Sequence, residues 1–332
     1  MKILYVAMKH DYGDETRGLS YEHSHFYQTL MSMGHDVVHF DFMEEMASHG
    51  KAAMNIRLKR LAYAEKAELM FCLLYQNQIE VSTIEEITRK TDTTTFNWFH
   101  DDGWRFDTFS RHYAPAFSYV STTDYDAVSK YRKIGYNNAL LTQFGFNHFL
   151  YQRKPLAVRY DVSFVGQVYG RRRELIALLE RSGISVFTWG HGWARGRLSE
   201  REMIEVFNQS RINLNLSAAS STPRPAWWRS PLPMRFFTPP KQIKGRVFEV
   251  PGCGGFLLTD VPPHFSDCYR LNIDVATFSG NQDLVRKVQF FLNHERARLR
   301  VAEAGYQRAL AAHTYEQRFS DLFRRMGLPS GL

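Results

Sequence analysis

The stretch Lys241-Gln242-Ile243-Lys244-Gly245-Arg246-Val247-Phe248-Glu249 places three cations and a carboxylate within nine residues. A helix opening near Gln242–Gly245 would turn free backbone N–H groups toward a phosphate, with Lys241, Lys244 and Arg246 beside it. Glu249, five residues after Lys244, could accept two hydroxyl hydrogen bonds from a ribose. The same residues read equally well as a basic helix start leading through a glycine turn at Gly254 and Gly255 into a strand. Arg171-Arg172-Arg173 opens another expected helix. Cations are poorly placed at a helix N-terminus, which is already positive, and a bound anion would relieve the conflict. Arg171 is the favoured contact; the alternative is a solvated basic face.

A second group of residues suits proton transfer. His100-Asp101-Asp102 follows an expected strand, and an Asp pair could deprotonate a hydroxyl or stabilise positive charge, with Asp101 ahead because it is nearer the strand. Asp-Asp-Gly is also an ordinary turn sequence. Glu22 and His23, in the polar loop and helix start after the first strand, are rival bases. Trp189-Gly190-His191-Gly192-Trp193 offers flat rings and a close backbone to a nucleobase, or else covers a core. Ser217–Pro240 is rich in Ser, Pro, Trp and Arg, with Arg224, Arg229 and Arg235, and is long enough to be a lid or acceptor loop. Its interleaved Arg and Trp come without a nucleic-acid motif, so no nucleic-acid partner is expected. No Asp-x-Asp pair or Cys/His cluster at a sheet end calls for a metal, and no cofactor is expected.

These residues fall at the ends of elements that repeat one theme. Apolar runs at Lys2–Ala7, Asp36–Phe40, Leu69–Tyr75, Thr94–Phe99, Phe117–Val120 and Ala139–Thr142 predict strands. Helices are expected over Ser20–Gly34, after the Ser82-x-x-Glu85 capping box, and over Asp124–Lys133. Polar Tyr151–Arg159, containing Pro155, reads as a linker. The theme then restarts, with strands at Asp161–Val165, Ile184–Thr188, Arg211–Leu216 and Gly255–Thr259. Helices are expected at Arg171–Arg181, from the Ser199-x-x-Glu202 box to Gln209, at Gln242–Val250, and from Asp283 to Ala312. Alternation of this kind predicts an α/β protein with two Rossmann-like domains, residues 1–152 and 160–312, whose parallel sheets face across a cleft. Residues 313–332 would form a terminal helix packing back toward the first domain.

Bulk composition agrees with a packed globular chain. Of 332 residues, 44% are apolar and 23% charged, and the net charge of +8 favours anionic partners, including peripheral contact with acidic lipid. No apolar run reaches 18 residues, and the N-terminal run is a short buried strand rather than a signal peptide. Three cysteines without ligand spacing fit a reduced, cytoplasmic setting.

Lys244-Gly-Arg246-Val-Phe248-Glu249, continuing to Gly255-Phe-Leu257-Leu258-Thr259-Asp260, resembles the donor-site motif of GT-B glycosyltransferases, especially the CgeB-like, spore-maturation group. The likeness covers about 161–320. It takes in Phe164-Val165-Gly166, Arg171–Arg173, Asn281–Phe291 and the tail His313-Thr314-Tyr315-Glu316-Gln317-Arg318. It implies a nucleotide-diphosphate sugar donor in the C-terminal domain, held by Gly166, Arg171, Lys241, Lys244, Gly245, Arg246 and Glu249, with Glu249 on the ribose. The acceptor, a glycan, protein or small molecule, would sit in the N-terminal domain, and transfer would need no metal. One departure matters: where many retaining members carry the first glutamate of a Glu-x7-Glu pair, this chain has Lys241. That departure keeps a non-catalytic surface-assembly protein of the same fold as an alternative, beside a nucleotide-sugar epimerase that would use the same donor grip without an acceptor.

Overall fold

The computed structural model describes residues 1–217 and 241–330. It forms two compact units: Met1–Gln143 with Tyr315–Leu332, and Phe144–Thr314.

The first unit is built on strands β1 (Lys2–Val6), β2 (Asp36–Phe40), β3 (Leu69–Cys72), β4 (Thr94–Phe99), β5 (Tyr119–Thr122) and β6 (Ala139–Leu141). They form one parallel sheet in the order β2-β1-β3-β4-β5-β6. Successive side chains on a strand point to opposite faces, so an apolar run fills two cores. Leu4, Val6, Met70 and Cys72 enter one cluster, and Ile3, Tyr5, Leu69 and Phe71 the other. The second cluster is closed by the helix Tyr315–Arg325, which buries Tyr315, Phe319, Leu322 and Phe323. Those positions repeat at four, seven and eight residues, one stripe of an α-helix.

The second unit carries β7 (Tyr160–Val165), β8 (Val186–Trp189), β9 (Ser210–Asn215), β10 (Leu257–Asp260) and β11 (Ala276–Phe278). Their parallel order, β8-β7-β9-β10-β11, reproduces the first five strands of the other sheet. Among the described residues no helix is long and apolar enough to cross a membrane.

Several local expectations shift. The division falls at Gln143/Phe144 rather than in Tyr151–Arg159, because Phe146 and Tyr151 are buried in a core with Val247 and Phe248. Lys154 N–H is likewise held by Asn208 Oδ1 at 2.7 Å. The Ser199/Glu202 capping box is present, but Ser82 lies inside its helix, Val81–Lys90, whose start is Glu80 without a side-chain cap. The long helix expected from Asp283 is two helices, Asn281–Asn293 and Glu295–Ala312, broken at His294 (φ −120°, ψ 72°). The helix expected from Gln242 begins at Arg246 and ends at Gly252. Gly254 follows with φ +72°, where a Cβ would come within 2.3 Å of Arg153 Nε, so this glycine is a structural turn.

Candidate functional site

In the second unit the site grows from the ends of β7 and β9. These neighbours mark the point where strand order reverses, and open parallel sheets place ligands beyond the carboxyl ends there. After β7 the chain turns at Gly166, whose N–H bonds Trp189 O (2.9 Å) and whose carbonyl accepts Trp193 Nε1–H (2.8 Å). Gly190, at φ +124°, permits this approach: a Cβ there would lie 2.5 Å from Gly166 O. Trp189 is 7% exposed and packs on Tyr160 and Phe187. The two indoles thus build the loop, which accounts for the aromatic motif without a nucleobase.

The arginine triplet divides its labour. Arg171, the contact favoured from sequence, has its side chain 60% exposed beside Glu174 at 3.1 Å. Arg173 bonds Gly192 O at 2.7 Å. Arg172 is the inward one, only 6% exposed. Its Nη1 and Nη2 donate to Gln167 O (2.7 Å) and Leu216 O (2.6 Å), bridging the ends of β7 and β9. Its guanidinium lies 3.7 Å from the Tyr169 ring centroid. Arg172 Nε–H has no partner among the described residues. Burial lowers the Arg172 pKa, as expected for a charge removed from water. The inward member of the triplet is thus not the one favoured from sequence. The usable signal was the position: the second arginine is one turn ahead of buried Ile176 and follows the same face.

The Lys241–Glu249 segment lies on the same side of the sheet, after β9 and before β10. Lys244 Nζ donates to the Tyr169 hydroxyl. Lys241 pairs with Asp260 at 3.1 Å, and Asp260 also accepts Ser217 N–H at 2.8 Å. The helix expected to open at Gln242–Gly245 opens at Arg246, with Gly245 as its cap. Gln242 N–H is committed to Ser217 O (3.0 Å), which ties the segment to the end of β9 and delays the helix to Arg246. Gly245 caps that helix, its carbonyl accepting the N–H of Phe248 (2.8 Å) and Glu249 (3.0 Å). Glu249, expected to present its carboxylate to a ribose, is 2% exposed and pairs with Arg246. The lid or acceptor reading of Ser217–Pro240, with Arg224, Arg229 and Arg235, falls on 218–240, outside the described residues.

In the first unit a cavity of about 40 Å³ is lined by Glu22, Tyr75, His100, Asp101 and Arg105, among others. It lies at the carboxyl ends of β3 and β4, next to β1, again at the reversal of strand order. Two wide-turn π-helical segments, Glu22–Tyr27 and Phe106–Ser110, border it; such segments recur at functional sites. Glu22 and His100, read from separate stretches, thus meet in one place. Burial pushes the Glu22 carboxyl up and the His100 imidazole down to about 4, the Asp101 carboxylate opposing the latter. The imidazole is therefore neutral at pH 7. A larger open cavity of about 670 Å³ flanks β1 and β2 and is lined by His39, Asp41, Glu44, Arg57 and Arg60, among others.

Two other candidates lie elsewhere. Asp102 is 1% exposed and accepts the Tyr131 hydroxyl at 2.8 Å, inside the apolar cluster under the short helix Asp102–Arg105. His23 stacks on Tyr27 with 4.7 Å between centroids, and burial lowers its pKa to about 4. No group of three or more His, Cys, Asp or Glu among the described residues is arranged to hold a metal.

Residues 171–324 match a family model described as glycosyl transferase-like. The chain is 21% identical over 251 residues to the spore protein CgeB of Bacillus subtilis (strain 168), covering 68% of this chain and 73% of that one. Among solved structures, a glycosyltransferase from Rickettsia africae superimposes with a TM-score of 0.65 at 10% identity, covering 98% and 97% of the two chains. Anabaena HepE, solved with UDP-glucose, gives 0.65 at 11% identity, covering 98% and 99%. With two parallel α/β sheets of matching strand order, these likenesses show a GT-B fold whose residues 171–324 are glycosyl transferase-like, in a chain similar to CgeB.

Proposed function

We propose that the protein transfers a sugar from a nucleotide-diphosphate donor to an acceptor hydroxyl, with the donor diphosphate held in the second unit without a metal. The observation that carries this reading is Arg172. Its guanidinium is buried, fixed by two carbonyls, and its Nε–H has no described partner. A buried donor left unbonded costs about 1–3 kcal/mol, more when charged, and an anion would recover it. Lys244 lies across the Tyr169 ring, and Lys241 follows in the same segment. As the bond between the sugar and the diphosphate breaks, charge gathers on the leaving phosphate oxygens, and preorganised cations stabilise it. HepE binds UDP-glucose, and the DNA-modifying β-glucosyltransferase, which superimposes with a TM-score of 0.58 at 13% identity, uses the same donor. Uridine is therefore the first base to try.

The acceptor is assigned to the first unit, where Glu22 or His100 takes the hydroxyl proton and Asp101 lies beside them. Asp102 is assigned a structural role, and Arg171 and His23 are set aside.

Thermal unfolding with UDP, GDP, dTDP, ADP and CMP, on the wild type and Arg172→Lys, tests the donor assignment. A melting-point rise with one nucleoside diphosphate, lost in the variant, is expected, since a ligand of the native state alone stabilises it by mass action. No rise with any of them overturns the reading and favours a surface-assembly role. Conversion of a bound nucleotide-sugar in the absence of any acceptor favours an epimerase.

A further inference from the structure

We propose that Tyr169 is a positioning residue that fixes the spacing of Arg172 and Lys244, so that the pair grips two linked phosphates and discriminates against one. The inference rests on the donor reading above.

Tyr169 sits in the turn between β7 and the helix Arg172–Arg181 and joins two segments 75 residues apart in sequence. One ring face carries the Arg172 guanidinium at 3.7 Å, and the phenol oxygen accepts the Lys244 ammonium. A phenol is protonated at neutral pH, and burial raises the Tyr169 pKa further. A neutral side chain therefore attracts both cations, one through its π face and one through its oxygen lone pair. Close by, Asp260 pairs with Lys241 at 3.1 Å and Glu249 with Arg246. Two cations held at a set separation match an anion with two linked phosphates. A single phosphate meets them one at a time.

The test is calorimetric titration of inorganic pyrophosphate and orthophosphate into wild type, Tyr169→Phe and Tyr169→Leu. Wild type should favour pyrophosphate by about tenfold or more, the scale of one charge-assisted hydrogen bond. Tyr169→Phe keeps the ring under Arg172 and removes the oxygen that Lys244 donates to, so the preference should fall several-fold with orthophosphate binding unchanged. Tyr169→Leu, which loses both contacts, should bring the two affinities together. Unspecific damage would weaken both anions equally, and that outcome overturns the proposal, as does an unchanged preference in both variants. If Arg172→Lys abolishes pyrophosphate binding while the Tyr169 variants keep the wild-type preference, only the positioning role falls. If wild type binds no pyrophosphate, the donor reading falls with it.

Discussion

The two units share a strand order and a place for a site, yet load that place with opposite chemistry. In the first, the carboxyl ends beside the β1/β3 reversal hold Glu22, His100 and Asp101, with burial holding one acid up and one base down. In the second, the ends beside the β7/β9 reversal hold Arg172 and Lys244 on Tyr169, with Lys241 paired to Asp260. The backbone supplies the location in both; a handful of loop side chains decides whether it gathers an acid and an imidazole or a set of cations. Burial acts on both, and its consequence depends on charge type. It raises the pKa of an acid and lowers that of an imidazole, but an arginine stays charged and must find oxygen partners.

That contrast can be broken one side at a time. The largest effect should come from Glu22→Gln: sugar transfer falls roughly 10²–10⁴-fold if Glu22 is the base, with donor affinity unchanged, as steady-state kinetics with donor binding would read. If transfer survives, His100 becomes the base and its variant should show the loss. Next, Phe319→Ala should destabilise the first unit by about 3–5 kcal/mol through the cavity it leaves. Hydrogen exchange should report this in β1, β3 and β4 while β7 and β9 keep their protection. An equal loss in both units would contradict the assignment of the terminal helix to the first.

A smaller effect concerns pH. His100 has a folded pKa of about 4, below its ordinary value of 6.5. The unfolded chain therefore binds more protons between those values, and stability rises with pH across that window. It is lost as pH falls from 6.5 to 4, by an amount on the order of 3 kcal/mol. His100→Asn should flatten this slope in urea unfolding at pH 4.5 and 7; an unchanged slope would assign it to His23 instead. The smallest effect belongs to Arg171→Ala, an exposed pair worth less than about 1 kcal/mol, which should leave nucleotide binding as in wild type.

The sequence was most legible where one periodicity ran unbroken. The strands at Asp36–Phe40 and Thr94–Phe99 fall where alternating or continuous apolar residues place them. The short strand Ala276–Phe278 was not expected, because three residues carry too little pattern. The helix Phe42–Glu65 was hidden by Gly50 at φ +78° and a weak apolar stripe, although Asp41 caps it through Met43 N–H at 2.9 Å. Of the site, composition pointed to the Arg171–Arg173 and Lys241–Glu249 segments. It could not show which arginine turns inward, since that depends on helix phase against β9. Nor could it show that Glu249 would meet Arg246, or that Glu22 would arrive beside His100. Tyr169 carried no signal at all, being one aromatic in a glycine turn.

The most direct test of the donor grip is the ¹⁵Nε–¹Hε resonance of Arg172, assigned by its absence in Arg172→Lys and followed as UDP is added. Formation of a hydrogen bond to a phosphate oxygen should move that proton strongly downfield and slow its exchange with water. UDP that binds while the Arg172 resonance stays where it was would place the diphosphate elsewhere and contradict the assignment.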